Sequence, residues 1–203
     1  MTALSRRVFA TVALAALLVG CGGTRTHQST ATDTGSTPPS SSATVNAPHT
    51  LGRSFPARLR IPAIGVDTPV IRLGLASDGT VQVPPVTAHD RAGWYQHSPT
   101  PGQVGPSVIL GHVTVGAYGD GVFRHLARLH RGDRITTRLE NGTEAVFTVD
   151  AVRTVAKADF PADDVYGDVD RPELRLITCG GARTGSGYLD NVIVFATLSS
   201  TSP

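Results

Sequence analysis

Two short apolar runs in this chain each end in a residue that can do chemistry. Leu174-Arg175-Leu176-Ile177-Thr178-Cys179-Gly180-Gly181 delivers a cysteine to a double glycine, and Val108-Ile109-Leu110-Gly111-His112 delivers a histidine. A free thiol, with a pKa of about 8.5, is mostly protonated near neutrality and becomes a nucleophile only beside a cation such as an imidazolium. A strand-terminal His112 facing a strand-terminal Cys179 would supply that cation, and its ring could then carry a proton to and from the reacting groups. The two glycines let the backbone turn sharply and leave space beside the sulfur. Each residue alone has a plainer reading. A free cysteine is among the most buried residue types and a lone histidine is commonly structural, so it is the pairing that favours a site.

The elements that must position this pair read as strands. Leu174, Leu176 and Thr178 alternate with Arg175, Ile177 and Cys179, which is the period of a β-strand. Other short segments rich in Val and Ile, broken by Gly, Pro and Asp, fall at 58–61, 66–73, 80–83, 107–110, 134–139, 145–155 and 192–198. Many short strands at this spacing predict an all-β barrel or sandwich. Glu140-Asn141-Gly142-Thr143 marks a hairpin between two of them. One or two short helices are expected, the clearest over 122–129, where Val122, Leu126 and Leu129 share a face.

Upstream of this domain the composition changes twice. Arg6 and Arg7 precede an apolar run too short for a membrane span, which needs about 20 residues, so 1–21 reads as a secretory signal. Leu18-Val19-Gly20-Cys21 resembles a bacterial lipobox, and Ser5-Arg6-Arg7-Val8-Phe9 resembles a twin-arginine export motif. An uncleaved N-terminal anchor is the other reading, and both place the protein outside the cytoplasmic membrane, tethered to it. Residues 22–53 are rich in Ser, Thr, Gly and Pro and read as a disordered tether, leaving 54–203 as one domain. The chain has two cysteines, so if Cys21 is lipidated Cys179 has no partner, an unusual state for a thiol in an exported protein.

Several function classes are disfavoured. A formal net charge of +2 is too small to argue for nucleic acid. There is no phosphate loop, dinucleotide fingerprint or internal repeat, and no His or Cys spacing matches a zinc site, so neither cofactor nor metal is expected. His27, His49, His89, His97, His125 and His130 carry no clear signal.

The ordered motifs resemble the bacterial sortases, and within them the class F (class E/F) enzymes of actinobacteria. The resemblance rests on Ile61-Pro62-Ala63-Ile64-Gly65-Val66, Ala92-Gly93-Trp94-Tyr95, Ser98-Pro99-Thr100-Pro101-Gly102, Val108 to His112, Leu129-His130-Arg131-Gly132-Asp133, the Cys179 run, and Tyr188-Leu189-Asp190-Asn191-Val192-Ile193-Val194. It implies an eight-stranded sortase β-barrel and a cysteine transpeptidase that cleaves an LPXTG-like sorting signal of an exported protein through a thioacyl intermediate. An amine of the cell wall precursor, or of a pilin-like subunit, then resolves it. Carried over, Cys179 is the nucleophile, His112 the general acid and base, and Thr178 supports the site. Trp94 and Tyr95 are candidates to line the peptide groove, although a single Trp in a small domain is more often a core residue. The family's third residue, an arginine entering the last strand, falls near Leu189 here. Arg183, the only arginine after Cys179, is the expected replacement, with Asn191 or backbone N–H groups as the alternative. A cysteine hydrolase of the envelope and an inactive peptide-binding barrel stay open. The NlpC/P60 hydrolases place Cys before His, opposite to this chain, and the Ser-His-Gly-Cys signature of L,D-transpeptidases is absent.

Overall fold

The computed structural model describes residues 50–185 and 187–203, and the secretory signal, lipobox and most of the tether read above lie outside the described residues. Strands β1 (Pro56–Ile61) and β2 (Val66–Leu73) form an antiparallel pair, joined through a 3-10 turn at Pro62–Ile64 that Gly65 closes at φ 69°. β3 (Ala92–Tyr95) lies parallel to β2, and β4 (Gly105–Leu110) antiparallel to β3. A two-stranded flap, β5 (Thr114–Val115) with β6 (Gly119–Asp120), follows. β7 (Arg134–Leu139), β8 (Glu144–Ala156), a five-residue helix α1 (Ala162–Tyr166), β9 (Pro172–Thr184) and β10 (Gly187–Ser202) complete the chain. Eight of these strands close a barrel in the order β1-β2-β3-β4-β9-β10-β8-β7, with β7 returning to β1.

Strand alternation divides the apolar residues between two clusters. Ile109, Leu174, Leu176, Val192 and Val194 point into the barrel, where they pack with Trp94, Phe123 and Phe147. Val108, Ile177, Ile193 and Phe195 form a second cluster on the outer wall, beside Leu110 and Tyr95 and against Val165 of α1. Cys179 shares the outward parity of Ile177, so the barrel's outer wall is the face that carries the thiol.

The all-β barrel agrees with the expectation, while three local readings are corrected. Segment 80–83 is not a strand and makes only an isolated bridge, Leu75 with Val81, because Pro84 and Pro85 follow and can donate no ladder hydrogen bonds. Segment 122–129 is not an α-helix: turns lead into a 3-10 helix at Leu126–Arg128, and Leu129 is already extended at ψ 147°. β3 has no counterpart among the strands read from sequence. It is four residues long, and Gly93 in it passes so close to Leu73 that a β-carbon would lie 2.6 Å from the leucine Cγ. The hairpin at 140–143 is present, with Gly142 at φ 89° and the Asn141 side-chain oxygen accepting from the Thr143 N–H at 3.1 Å.

Candidate active site

β4 and β9 run parallel with Leu110 beside Ile177, and this register brings the ends of both strands to one place on the barrel rim. The pairing continues past the strand: the Gly111 N–H donates to the Ile177 carbonyl at 3.1 Å, and the Thr178 hydroxyl donates to the Gly111 carbonyl at 2.7 Å. His112 and Cys179, 67 positions apart, therefore line the same cavity of about 90 Å3, together with Pro84, Leu110, Ile177 and Asn191. Cys179 is a half-buried free thiol.

His112 is held from several sides. Its Nε2 lies 2.6 Å from the Pro84 carbonyl oxygen. A carbonyl can only accept, so this nitrogen carries a proton and Nδ1 is left to take up or give the second one. The His112 carbonyl accepts from the Phe123 N–H at 2.9 Å, and Gly111 passes against the Phe123 ring where a β-carbon would lie 2.5 Å from ring atom Cδ2. The sequence offered no direct sign of the Pro84 contact, since proline carries no side-chain polar group and its role here is purely backbone.

Beyond Cys179 the chain does not turn at once. β9 continues to Thr184, and in its pairing with β10 Tyr188 opposes Arg183 while Asp190 opposes Gly180, so 181 and 182 face the single residue Leu189. This is a β-bulge, which the left-handed φ of Gly181, 73°, makes possible. Gly180 is needed for a different reason: a β-carbon there would lie 2.6 Å from Cγ2 of Val192.

The other expected residues divide. Thr178 is buried and bonded to Gly111, so it ties the two strands together. Trp94 is corrected: it is fully buried in the barrel core, its ring 5.5 Å from Phe55 and its indole N–H donating to the Pro99 carbonyl at 3.2 Å, and it cannot line a groove. Tyr95 lies on the outer wall and lines a separate cavity of about 590 Å3. Arg183 is exposed on the β9–β10 hairpin with its guanidinium 5.9 Å from the Tyr188 ring, and it lines neither cavity that Cys179 lines. Leu189, where the family arginine was expected, is 50% exposed in the bulge. Two polar groups emerge instead. Asn191 is the register partner of Cys179 and lines its cavity. Arg124, ion-paired with Asp120, shares with Cys179 and Tyr188 a second cavity of about 300 Å3. Among the described residues no His, Cys, Asp and Glu group could hold a metal ion.

Comparison with known proteins agrees with this fold. Solved structures of similar fold include the SrtA sortase from Actinomyces oris, with 24% identity over 79% of this chain and 89% of that one and a TM-score of 0.55. Sortase A from Corynebacterium diphtheriae, as its lid mutant, has 21% identity over 73% of this chain and 72% of that one, with a TM-score of 0.55. The Clostridium perfringens sortase D5 transpeptidase has 24% identity over 71% and 78%, with a TM-score of 0.52. At these identities the likeness is one of fold. No curated protein matches the chain. Residues 59–199, which run from within β1 to within β10, match the sortase domain, and the chain belongs to the sortase family.

Proposed function

We propose that this sortase is an active cysteine transpeptidase in which Cys179 attacks the scissile carbonyl of a sorting signal and His112 serves the leaving and incoming amines. The observation that supports this reading is the sharing of one small cavity by Cys179 and His112 within a sortase domain. The Cys179 thiolate adds to the peptide carbonyl. Collapse of the tetrahedral adduct breaks the C–N bond as His112 gives a proton to the departing amine, leaving a thioester. An incoming amine, deprotonated by His112, attacks that thioester and releases the thiolate.

The oxyanion that forms twice in this sequence needs a donor. Asn191 stands directly across the ladder from Cys179, a placement in which β-carbons of neighbouring strands lie about 4.5–5.5 Å apart. We assign it the donor's role in place of the expected Arg183, and backbone N–H groups near the bulge assist. The substrate is read as an LPXTG-like signal on exported proteins and the acceptor as a cell wall precursor amine or a pilin amine. The class F reading rests on the ordered set of motifs from Ile61 to Val194. Export, lipidation at Cys21 and attachment outside the cytoplasmic membrane complete the reading. Among the described residues no helix is long and apolar enough to cross a membrane.

The test is cleavage and transfer on fluorogenic LPXTG-type peptides with an added amine. Cys179→Ala is expected to abolish turnover. Asn191→Ala should lower kcat about 100- to 1,000-fold, the cost of an oxyanion donor, whereas Arg183→Ala should have little effect. A fall confined to Arg183→Ala or Arg124→Ala would move the donor's role to that arginine. Peptide binding without turnover would establish an inactive barrel, and water as sole acceptor a hydrolase.

A further inference from the structure

Segment 74–91, between β2 and β3, forms no strand, yet its Val83 and Pro84 line the cavity that holds Cys179 and His112. Val83 is 60% exposed, whereas Pro84 is buried. The hydrogen bonds of 75–88 run almost entirely within the segment or to Gly74 and Arg91 at its ends: Ala76 to Thr80, Gly79 to Ala76, Gln82 to Gly74, Thr80 to Asp78, Ala88 to Pro85 and Arg91 to Ala88. Among the described residues a single hydrogen bond carries this stretch to the barrel, and it is the one between His112 Nε2 and the Pro84 carbonyl at 2.6 Å.

Covalent structure aims that carbonyl. The Pro84 ring holds its own φ at about −65°, and Pro85 after it bars Pro84 from the helical region, which leaves an extended carbonyl direction. Pro85 itself stands at φ −56° and ψ 145°. The backbone of His112 is held against the same segment. The consecutive N–H groups of Gly121, Val122 and Phe123 donate to the carbonyls of Val113, His89 and His112 at 3.0, 3.0 and 2.9 Å. One short run thus ties the far end of the segment, at His89, to the residue whose ring the near end holds. A β-carbon on Gly121 would collide with the His112 carbonyl oxygen, so only glycine lets the two backbones pass this closely.

We propose that Pro84 is a positioning residue for the acid–base step: its carbonyl, aimed by the Pro84-Pro85 pair, holds His112 with hydrogen on Nε2 and so presents Nδ1 to the reacting amines. The proposal rests on the transpeptidase reading above. A neutral imidazole can carry its hydrogen on either nitrogen and can turn about its bond to the chain, so an unpartnered ring spends part of its time with the wrong atom toward the substrate. In Ser-His-Asp sites a carboxylate removes this ambiguity. Here a backbone carbonyl does so without adding a charge. The protons balance: doubly protonated His112 gives its Nδ1 hydrogen to the departing amine and keeps Nε2–H on Pro84. Nδ1 then takes a proton from the incoming amine, which restores the starting ring. The carbonyl accepts the same hydrogen bond throughout, so the segment has no need to move during the chemistry.

Nitrogen-15 NMR of the full chain, with the His112 signals assigned by their loss in His112→Ala, reads the ring directly. With the ring neutral, the shifts should report one tautomer, hydrogen on Nε2. Pro85 is exposed, so Pro85→Gly frees the Pro84 carbonyl without disturbing the core. It should give a mixture of tautomers and, in amine transfer on an LPXTG-type peptide, lower kcat at least about tenfold with KM held, part of the full worth of general acid–base catalysis. The thermal midpoint should stay within a few degrees. A bare Nε2 in the unaltered protein overturns the proposal, and so does a Pro85→Gly protein in which either the tautomer or kcat is unchanged. A rise in kcat/KM also overturns it, because the segment would then be a cover over the cavity rather than a support for His112. Failure of the unaltered protein to turn over any peptide overturns the transpeptidase reading, and the ring nitrogens then still decide whether Pro84 sets the tautomer.

Discussion

Removal of the Thr178 hydroxyl tests whether the join between β4 and β9 holds the site in register. Thr178 is 4% exposed, and its hydroxyl donates to the Gly111 carbonyl at 2.7 Å, one residue from His112 on one side and one from Cys179 on the other. Thr178→Val keeps the shape and deletes the donor. The loss combines a net hydrogen bond of about 1 kcal/mol with the cost of leaving a buried acceptor short of a partner, about 1–3 kcal/mol in total. For a domain of this size, about 2–4 °C of melting temperature is lost per kcal/mol, so the midpoint should fall by roughly 2–12 °C. The catalytic effect should exceed what lost stability explains, because a misplacement near 1 Å between reacting groups can cost about 100-fold. The assay pairs thermal unfolding with kcat/KM on the peptide substrate, measured well below the midpoint, and Thr178→Ser should recover most of both. A Val variant with unchanged midpoint and unchanged kcat/KM would refute the argument.

Three further outcomes are expected. Arg175→Met strands Glu173, which is 7% exposed and accepts from Arg175 at 2.5 Å, and should destabilise by about 3–5 kcal/mol or somewhat less, because Arg171 also holds Glu173; Glu173→Leu with Arg175→Met should recover most of the loss in urea unfolding. Trp94→Ala should cost about 3–5 kcal/mol in the same assay, as expected of a core residue, whereas a groove residue would change KM with little loss of stability. Burial, and then the neighbouring Tyr95, push the Tyr166 phenol above its ordinary pKa. The folded state then binds that proton more tightly than the unfolded one. Its contribution is intact below about pH 10 and lost as pH climbs through the raised value, so the stability difference between the protein and Tyr166→Phe should change only on the alkaline side.

The chemistry was legible in the sequence because it sits at the ends of apolar runs whose period is local. Cys179 and His112 could be paired as candidates on residue type and on their places at the ends of apolar runs, although it is the register of β4 with β9 that brings them together, and the barrel class followed from short Val- and Ile-rich segments between turn residues. The glycines after Cys179 were also readable as special, although they serve a bulge and a close approach to Val192 rather than the end of a strand. Other features depend on register between distant strands, which no local pattern encodes. Asn191 faces Cys179 only because one residue of β9 is bulged out ahead of it. Trp94 is in the core because closure of the barrel turns β3 inward, and Arg183 is left on an exposed hairpin because β9 runs on to Thr184. The sequence by itself determined what kind of fold this is and singled out the groups proposed to react, since both readings rest on residue type and short-range alternation. Tertiary structure alone decided what surrounds them: the Pro84 carbonyl on His112, Asn191 opposite the thiol and the separate cavity on the outer wall. Each of these arises where segments far apart in the chain meet, and the contact that defines it is made by backbone or by register.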